Sequence, residues 1–546
     1  GSAMRGLMQS SSINLVSLLE HAARWHGSQQ VVSNTVEGGI HRQSYRKTWQ
    51  RTGQLGNALA ELGVKKGDRI GTMAWNTYRH LESWFAIMGL GAVAHTLNPR
   101  LFPEQLVYIV NHAEDQVIIV DLTFVPLIQA LADKLPTVKH VVVMTGPDNM
   151  PDDLPDNWHC YETLLEGRAQ SCEWTQVNGD DASSLCYTSG TTGNPKGVLY
   201  SHISNVLHAY GATSKDAMNV GSADCVMMVV PMFHANSWGL AFGLPMAGAK
   251  MVMPGPHMDG ASMATLLTEE RCNFAAAVPT VWSMLLDHLR STSGSLPDLK
   301  EVVIGGSAAP RSMIEAFDKE FGVTVLHAWG MTEMSPLGTV NRVSGSMPAP
   351  ATADEAYDLS CKQGRVPFGV DMEIVDDDDN TLPHDGQTFG RLLVRGPWIV
   401  ERYYGEAETA LDSNGWFDTG DIATIDEYGF MNITDRAKDV IKSGGEWISS
   451  ADLENAAIAH PDVALAACVG ATHPKWDERP VLLVQLAEGK SLDASAITEL
   501  LAAEFARWQL PDAILAVDSI PLTATGKIDK KPLRAEYQNY LLDNPS

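Results

Sequence analysis

A ten-residue segment rich in hydroxyl side chains and glycine is the first part of the sequence that could do chemistry. It reads TSGTTGNPKG over residues 188–197 and lies between two short apolar runs, 184–187 and 198–200. Backbone N–H groups and hydroxyls in such a loop can surround phosphate oxygens, while glycines permit close approach and Lys196 supplies a positive charge. The predicted phosphate site comprises Thr188, Ser189, Gly190, Thr191, Thr192, Gly193 and Lys196.

This loop differs from the P-loop of kinases and GTPases. A P-loop has Ser or Thr directly after its lysine, whereas here Gly197 follows Lys196 and Pro195 precedes it. A P-loop kinase or GTPase is therefore disfavoured. A purely structural linker of Ser, Thr and Gly is the alternative interpretation.

A carboxylate follows a predicted strand further along the chain. The segment AWGMTE, residues 328–333, comes directly after an apolar run at 324–326. A carboxylate such as Glu333, close to a phosphate loop, is suited to hold Mg²⁺ against phosphate oxygens, and Thr332 can bind a phosphate. A core tryptophan followed by a surface glutamate is the alternative interpretation.

The loop at 188–197 resembles the signature of the adenylate-forming superfamily, which includes acyl-CoA synthetases, peptide-synthetase adenylation domains and beetle luciferases. The resemblance extends in order over nearly the whole chain, through WFDTGD at 416–421, DRAKD at 435–439 and TATGKID at 523–529. The chain most resembles bacterial short- and medium-chain acyl-CoA synthetases, including the 3-(methylthio)propionate–CoA ligases. The resemblance implies a ligase that uses ATP and Mg²⁺ to form an acyl-adenylate, and then passes the acyl group to coenzyme A.

The resemblance also assigns roles to single residues of the nucleotide site. Asp421 would accept both ribose hydroxyls, Arg436 would lie near ribose and phosphate, and Glu333 would hold Mg²⁺. Lys527 would be the catalytic lysine, bridging the carboxylate of the acid and the α-phosphate as charge develops. Trp329, where relatives usually have tyrosine, would flank adenine. The remaining residues of the predicted nucleotide site are Gly306, Ser307, Ala308, Gly330, Met331 and Thr332.

The segment PMFHANSWG at 231–239 stands where relatives shape the acyl pocket. Trp238 would shorten the pocket, and His234 is either a lid or orienting group or a packing histidine. His234 is the one titratable group in the predicted walls, so a monocarboxylic acid is favoured over a dicarboxylic acid. The predicted pocket comprises His234, Trp238, Gly305, Gly330 and Pro336.

A mobile small domain is implied for the second half of the reaction. In relatives a hinge stands at the position of Lys438, and paired glycines just beyond it line the pantetheine tunnel. The predicted coenzyme A site comprises Ser443, Gly444, Gly445, Glu446 and Trp447. We expect a large ATP- and acid-binding domain over residues 5–434, a hinge over 435–439 and a mobile C-terminal domain over 440–546.

The elements that must position these residues follow from hydrophobic patterning. Apolar runs such as 116–120 alternate with amphipathic stretches such as 45–62, which indicates parallel sheets covered by helices. From residue 371 short strands and tight turns dominate, and an α/β pattern returns after 435. The predicted fold class is α/β: helix-flanked sheets and a small β subdomain in a large N-terminal domain, then a smaller α+β C-terminal domain.

Composition excludes several other classes of protein. A chain of 546 residues needs two or more domains, and its net charge of −27 argues against a general nucleic-acid binder. The seven cysteines form no CxxC pair, so reduced thiols in the cytoplasm are expected rather than a disulfide scaffold or zinc site. No apolar run is long enough for a membrane span. Homodimers are common among relatives, but the sequence does not decide the oligomeric state of this protein.

Rival functions stay open at this point. A free-standing adenylating enzyme could charge a carrier protein instead of coenzyme A; a peptide-synthetase module is less expected because the chain stops at Ser546 without a carrier domain. A luciferase-like oxygenase shares the fold, but nothing in the sequence demands oxygen chemistry. A non-catalytic nucleotide-binding protein is the rival from a different class. The expected small-molecule partners are a carboxylic acid, ATP and coenzyme A.

Overall fold

Short apolar strands alternate with amphipathic helices through the first two thirds of the chain and build two large sheets. The computed structural model describes residues 3–9, 12–188, 194–523 and 527–545. The strands Val117–Val120 and Phe274–Ala277 are buried along their whole length. Burial of both faces is what a sheet covered by helices on both sides requires.

The described residues form strands that are numbered here in chain order. They are β1 (Gln30–Asn34), β2 (Ile40–Ser44), β3 (Arg69–Met73), β4 (Val93–Thr96), β5 (Val117–Val120), β6 (His140–Val143), β7 (Trp158–Cys160), β8 (Ala182–Tyr187), β9 (Gly197–Ser201), β10 (Cys225–Met228), β11 (Lys250–Met253), β12 (Phe274–Ala277), β13 (Glu301–Ile304), β14 (Thr324–Gly330), β15 (Leu337–Val340), β16 (Asp371–Val375), β17 (Gly390–Arg395), β18 (Phe417–Ile425), β19 (Met431–Arg436), β20 (Ile441–Ser443), β21 (Glu446–Ile448), β22 (Val463–His473), β23 (Asp477–Leu486) and β24 (Ala513–Ala516).

The α-helices are numbered in the same way. They are α1 (Val16–Trp25), α2 (Tyr45–Glu61), α3 (Tyr78–Gly89), α4 (Pro103–Ala113), α5 (Val125–Leu131), α6 (Tyr161–Leu165), α7 (His202–Thr213), α8 (Leu240–Ala247), α9 (Gly260–Glu269), α10 (Pro279–Thr292), α11 (Arg311–Phe321), α12 (Ala353–Ser360), α13 (Ser450–Ile458), α14 (Ala494–Ala502), α15 (Lys530–Tyr537) and α16 (Tyr540–Asp543).

The two large sheets are parallel in their interiors and antiparallel at three of their edges. One has the strand order β7-β6-β5-β3-β4-β8-β9, and the other has the order β15-β14-β13-β12-β10-β11-β1-β2. The sequence predicts parallel sheets, but β2, β9 and β15 each run antiparallel to their neighbour. Each of these strands follows its neighbour after a short connection, which can only return antiparallel, since a parallel crossover needs a dozen or more residues.

Two smaller sheets follow along the chain. Antiparallel strands β16-β17-β18-β19 form the predicted β subdomain, and Gly429, at φ 88°, closes the hairpin between β18 and β19. The last sheet has the order β21-β20-β23-β22, with β24 paired to β23, and α13 and α15 pack on β22. The predicted fold class is confirmed.

The largest buried cluster joins both large sheets. It contains Ile70 and Val117 from one sheet and Val226 and Val303 from the other, with aromatic rings such as that of Trp84 between them. Trp238, a predicted pocket residue, belongs to this same cluster. The predicted pocket is therefore built on the core. Within the described part of the chain, no helix combines the length and apolarity that a membrane crossing needs.

Candidate active site

The predicted phosphate loop connects two antiparallel strands, β8 and β9. At its base the Thr188 N–H donates to the Lys196 carbonyl at 2.8 Å, and the Lys196 N–H donates to Thr188 Oγ1 at 3.1 Å. These bonds close the hairpin and leave the Lys196 side chain exposed. The predicted residues Ser189, Gly190, Thr191, Thr192 and Gly193 lie outside the described residues.

Glu333 and Lys196 meet at Tyr403. The Tyr403 hydroxyl donates to Glu333 Oε2 at 2.9 Å, and Lys196 Nζ lies 5.0 Å from the centre of the Tyr403 ring. The Glu333 main chain is also held, because the Val400 N–H donates to its carbonyl at 2.8 Å. Thr332 lies next to it, and its carbonyl accepts a hydrogen bond from the Tyr200 hydroxyl. Lys196, which is predicted to bind phosphate, and the Glu333 carboxylate are thus brought to one tyrosine.

The Glu333 carboxylate fits a magnesium ion that is shared with phosphate groups. It is an oxygen ligand on a partly exposed side chain that keeps acceptor capacity beyond the Tyr403 bond. Among the described residues no group of three or more His, Cys, Asp or Glu side chains could hold a metal by itself. Mg²⁺ in nucleotide sites typically takes one or two carboxylates and completes its coordination with phosphate oxygens and water.

A buried carboxylate lies at the pairing of β18 with β19. Asp421 is directly opposite Arg436 in this pairing, and Arg436 Nε lies 3.4 Å from Asp421 Oδ1. The Trp329 indole N–H donates to Asp421 Oδ2 at 3.2 Å. Burial raises the pKa of Asp421, while the Arg436 guanidinium and the Trp329 N–H favour the charged form. The three predicted nucleotide residues are therefore one connected group.

Trp329 is more deeply packed than an adenine platform alone would require. Only 8% of it is exposed, and a Cβ added at Gly338 would lie 2.4 Å from its ring. The indole therefore contributes to the core while its N–H orients Asp421. Its predicted contact with adenine stays a prediction.

Lys527 joins this group from the far end of the chain. Desolvation lowers the pKa of Lys527, and repulsion from Arg436 and Lys438 acts in the same direction, whereas Asp421 and Glu333 act against it. The side chain nevertheless keeps an exposed surface. Lys527 is therefore close enough to Arg436, Asp421 and Glu333 for their charges to act on it, and the space among these side chains is called the cleft below.

Trp238 lies against the glycines that follow β13. A Cβ added at Gly305 would come within 2.9 Å of the Trp238 ring, and Gly306 has φ 83°. Gly330 also leaves no room for a side chain, because a Cβ there would lie 2.1 Å from the carbonyl oxygen of Pro336. β13 and β14 are parallel neighbours, so their carboxyl ends lie at the same edge of the sheet. Gly305 with Trp238 and Gly330 with Pro336 therefore lie at this edge. The exposed residues Gly306, Ser307 and Ala308 follow β13 at this edge.

A left-handed turn that the sequence does not predict positions Trp238. Ala235, Asn236, Ser237 and Trp238 have φ values between 44° and 56°, and Gly239 has 79°. For residues other than glycine this conformation costs about 1–2 kcal/mol each, so tertiary contacts must compensate. Ser237 Oγ donates to the Val230 carbonyl at 2.6 Å and Asn236 Nδ2 to Asn205 Oδ1 at 3.4 Å. These bonds hold the indole toward Gly305.

His234 lines a cavity that reaches Thr332. The cavity encloses about 410 Å³, counting its open mouth, and Phe233 and Cys186 also line it. Burial, together with repulsion from Lys527 and Arg100, lowers the pKa of His234 to about 4. His234 is therefore neutral near pH 7 and lies close to Lys527, which favours an orienting role over packing alone.

The predicted coenzyme A segment is the hairpin between β20 and β21. Gly444 and Gly445 have φ 56° and 86°, which suits a two-residue hairpin turn. Gly444, Gly445 and Glu446 are exposed. The last residue, Trp447, faces Lys442, whose Nζ lies 5.3 Å from its ring centre. Ser443 is instead buried, and its Oγ accepts a hydrogen bond from Arg479 at 3.0 Å.

Two family models match this chain. The AMP-binding enzyme model matches residues 18–404, and the AMP-binding enzyme C-terminal domain model matches residues 452–527. The chain belongs to the AMP-binding enzyme family.

Relatives of this AMP-binding enzyme give the reaction class. It is 48% identical over 540 residues to 3-methylmercaptopropionyl-CoA ligase of Ruegeria lacuscaerulensis, covering 98% of this chain and 100% of the relative. It is 45% identical over 543 residues to medium-chain-fatty-acid–CoA ligase of Ectopseudomonas oleovorans, covering 100% and 99%. The solved structure of the anthranilate CoA ligase AuaEII with anthranoyl-AMP superposes with a TM-score of 0.85 at 25% identity, over 98% of this chain and 99% of that one. The AMP-binding enzyme is an acyl-CoA ligase, that is, an acid–thiol ligase.

His208 of this AMP-binding enzyme supports the segment beside the predicted pocket residue Pro336, and sequence reasoning missed it. Its Nε2 accepts a hydrogen bond from the Leu337 N–H at 3.0 Å, and burial lowers its pKa to about 3. Trp398 packs edge-on against the His208 ring and donates its indole N–H to the Leu337 carbonyl at 3.0 Å. Together they hold the residue that follows Pro336. A lone histidine in a helix gives no signal of this role.

Replacing Trp238 by alanine is expected to lengthen the acyl pocket. Loss of the indole from beside Gly305 leaves room for further methylene groups. The ratio of kcat/KM for octanoate to that for butanoate should rise about tenfold or more, since one methylene contributes this much in an apolar pocket. Phe242→Leu, a change in the same core cluster, is the control for general loosening. An unchanged ratio in Trp238→Ala would place the pocket elsewhere.

Asp421→Asn is expected to weaken ATP binding. The asparagine amide has nearly the shape of the carboxylate, but only one of its two terminal atoms is an acceptor. It therefore cannot accept hydrogen bonds from both ribose hydroxyls as the carboxylate does. KM for ATP should rise about 10- to 100-fold, the usual effect of losing a charged hydrogen-bond acceptor. KM for the acid should change little. A rise confined to KM for the acid would contradict the ribose assignment.

Proposed function

We propose that this enzyme activates a short- to medium-chain monocarboxylic acid with ATP, and that 3-(methylthio)propionate is the first acid to test. The observation that carries the proposal is that the Asp421–Arg436 ion pair and Glu333 lie near enough to Lys527 for their charges to act on it. The names of the two relatives, one acting on 3-methylmercaptopropionate and one on medium-chain fatty acids, support the substrate class.

The predicted pocket favours a small, singly charged acid. Trp238 occupies the space beside Gly305, which limits chain length. His234 is neutral near pH 7 because its pKa is about 4, so it offers no second positive charge to a dicarboxylate. Met227 and Met228, at the end of β10 just before the predicted pocket segment, are fully buried in different core clusters and therefore pack the core.

In the first half-reaction a carboxylate oxygen of the acid attacks the α-phosphorus of ATP, and pyrophosphate leaves. Lys196 and Thr332 hold phosphate oxygens, and Lys527 bridges the carboxylate and the α-phosphate as negative charge develops. Mg²⁺ bound at Glu333 would neutralise phosphate charge. Asp421 and Arg436 fix the ribose. Positioning and charge neutralisation are the whole contribution of the protein to this step.

In the second half-reaction the thiolate of coenzyme A attacks the carbonyl of the acyl-adenylate, and AMP leaves. The small domain turns about Lys438, which withdraws Lys527 from the cleft. The exposed glycines 444 and 445 then line the path of the pantetheine chain.

We place this reaction in the cytoplasm, where ATP and coenzyme A are available and the seven free cysteines stay reduced. A homodimer, suggested by the resemblance, is to be checked by light scattering.

The direct test is an assay with Mg·ATP, coenzyme A and a panel of straight-chain acids from two to eight carbons, together with 3-(methylthio)propionate and acrylate. AMP and acyl-CoA should form in equal amounts, with the highest kcat/KM for one subset of the panel. Acyl-AMP and pyrophosphate without thioester would move the acceptor to a carrier protein. No acid-dependent turnover across the panel would overturn the proposed substrate class.

Lys527→Ala is expected to separate the half-reactions. Removing the ammonium should slow pyrophosphate release about 1,000-fold, because it stabilises charge that develops only in the transition state. Thioester formation from supplied acyl-AMP should persist, since Lys527 is withdrawn in that step. Lys531→Ala, a change to an exposed lysine in α15, is the matched control. Equal losses in both half-reactions would refute the role.

Lys438→Pro is expected to restrict the turning of the small domain. Proline fixes φ, so one domain orientation should be trapped and thioester formation should suffer most. Lys438→Ala keeps the torsional freedom and controls for loss of the side chain. Both half-reactions are measured separately, with acyl-AMP supplied for the second. A second half-reaction at the wild-type rate in Lys438→Pro would contradict the hinge assignment.

A further inference from the structure

Four buried polar side chains meet where the four-stranded sheet contacts the small domain. Asp435 is in β19, Ser450 begins α13, Glu454 lies one turn further along α13 and Lys530 begins α15. Their exposures are 2%, 0%, 8% and 9%. Side chains of this kind are rarely buried unless each has a partner. We call these four residues the latch cluster.

The latch cluster is one chain of hydrogen bonds that ends in a carboxylate on each side. The Ser450 N–H donates to Asp435 Oδ2 at 2.7 Å, and Ser450 Oγ donates to the same carboxylate at 2.9 Å. Lys530 Nζ donates to Ser450 Oγ at 2.7 Å and lies 2.7 Å from Glu454 Oε2. Asp435 also lies at the N-terminus of α13, where the helix dipole favours a negative charge.

Two members of the latch cluster, Asp435 and Lys530, are each close in the chain to a residue of the predicted site. Asp435 directly precedes Arg436, the partner of Asp421. Lys530 follows Lys527 by three residues, and the segment between them leads from the cleft into α15. A change in the distance between Asp435 and Lys530 would therefore displace the start of the segment that leads to Lys527.

The latch cluster also joins residues on both sides of Lys438, the residue at which relatives have the hinge. Asp435 precedes Lys438 in the chain, whereas Ser450, Glu454 and Lys530 all follow it. The Ser449 hydroxyl adds a second contact across the hinge, since it donates to the carbonyl of Thr434. A turn of the small domain about Lys438 would have to separate Ser450 from Asp435.

We propose that Asp435, Ser450 and Lys530 are positioning residues that hold the small domain in the orientation that places Lys527 in the cleft. The latch cluster is closed for adenylate formation and opens before the acyl group passes to coenzyme A. This inference rests on the two half-reactions of the proposed function.

The test compares half-reactions in Ser450→Ala and in Asp435→Asn. Pyrophosphate release without coenzyme A should slow about tenfold or more, while thioester formation from supplied acyl-AMP should stay within about twofold of wild type. Asn455→Ala, on the exposed side of α13, should leave both rates unchanged. The retained second half-reaction shows that the variants are folded. Equal losses in both half-reactions, or no loss in the first, would overturn the inference.

A double-mutant cycle tests whether the latch cluster acts through Lys527. Ser450→Ala should have little further effect on pyrophosphate release in a Lys527→Ala background, because the group that it positions is absent. Independent, multiplicative losses would contradict the inference even if the single variants behave as expected. Wild-type protein that forms no acyl-AMP with any acid would instead count against the proposed function.

Discussion

Charge is the constraint on which the arrangement of the cleft depends. The protein carries a net charge of −27, yet the ligands of an acyl-CoA ligase, ATP and coenzyme A, are polyanions. The overall field therefore opposes binding, and local cations must supply the attraction. Lys196 comes from a hairpin of the first large sheet, Arg436 from the β subdomain and Lys527 from the C-terminal domain. Because these three cations come from separate elements, the proposed site would be complete only when the small domain is in place.

Packing explains why several predicted site residues have defined positions. Trp329 belongs to the core, but its N–H reaches Asp421, and Asp421 in turn pairs with Arg436. Trp238 belongs to the largest core cluster and closes the space beside Gly305. Each of these site residues is therefore fixed by contacts on the side away from the cleft. Lys527 differs, because its position depends on how the small domain sits against β19.

Much of this arrangement could be predicted from the sequence. The pattern at 45–62 predicts a helix that the structure bounds as Tyr45–Glu61, and the turn at 426–429 joins β18 and β19 as expected. The left-handed turn before Gly239 could not be predicted, because its residues adopt it only under tertiary contacts. His208 is hydrogen-bonded to Leu337, and Asp435 to Ser450. No repeating pattern in the sequence indicates that either pair is in contact. The family motifs identified the chemistry, whereas the residues that support it are known only from the fold.

The central claim is that one cleft performs two half-reactions in sequence, and a rapid-quench single turnover tests it most directly. Enzyme in excess of 3-(methylthio)propionate, or of the best acid in the panel, is mixed with Mg·ATP and coenzyme A, and acyl-AMP and acyl-CoA are quantified over time. The account predicts that acyl-AMP appears first and decays at the rate at which acyl-CoA forms. Acyl-CoA that forms without preceding acyl-AMP, or acyl-AMP that coenzyme A does not consume, would contradict it.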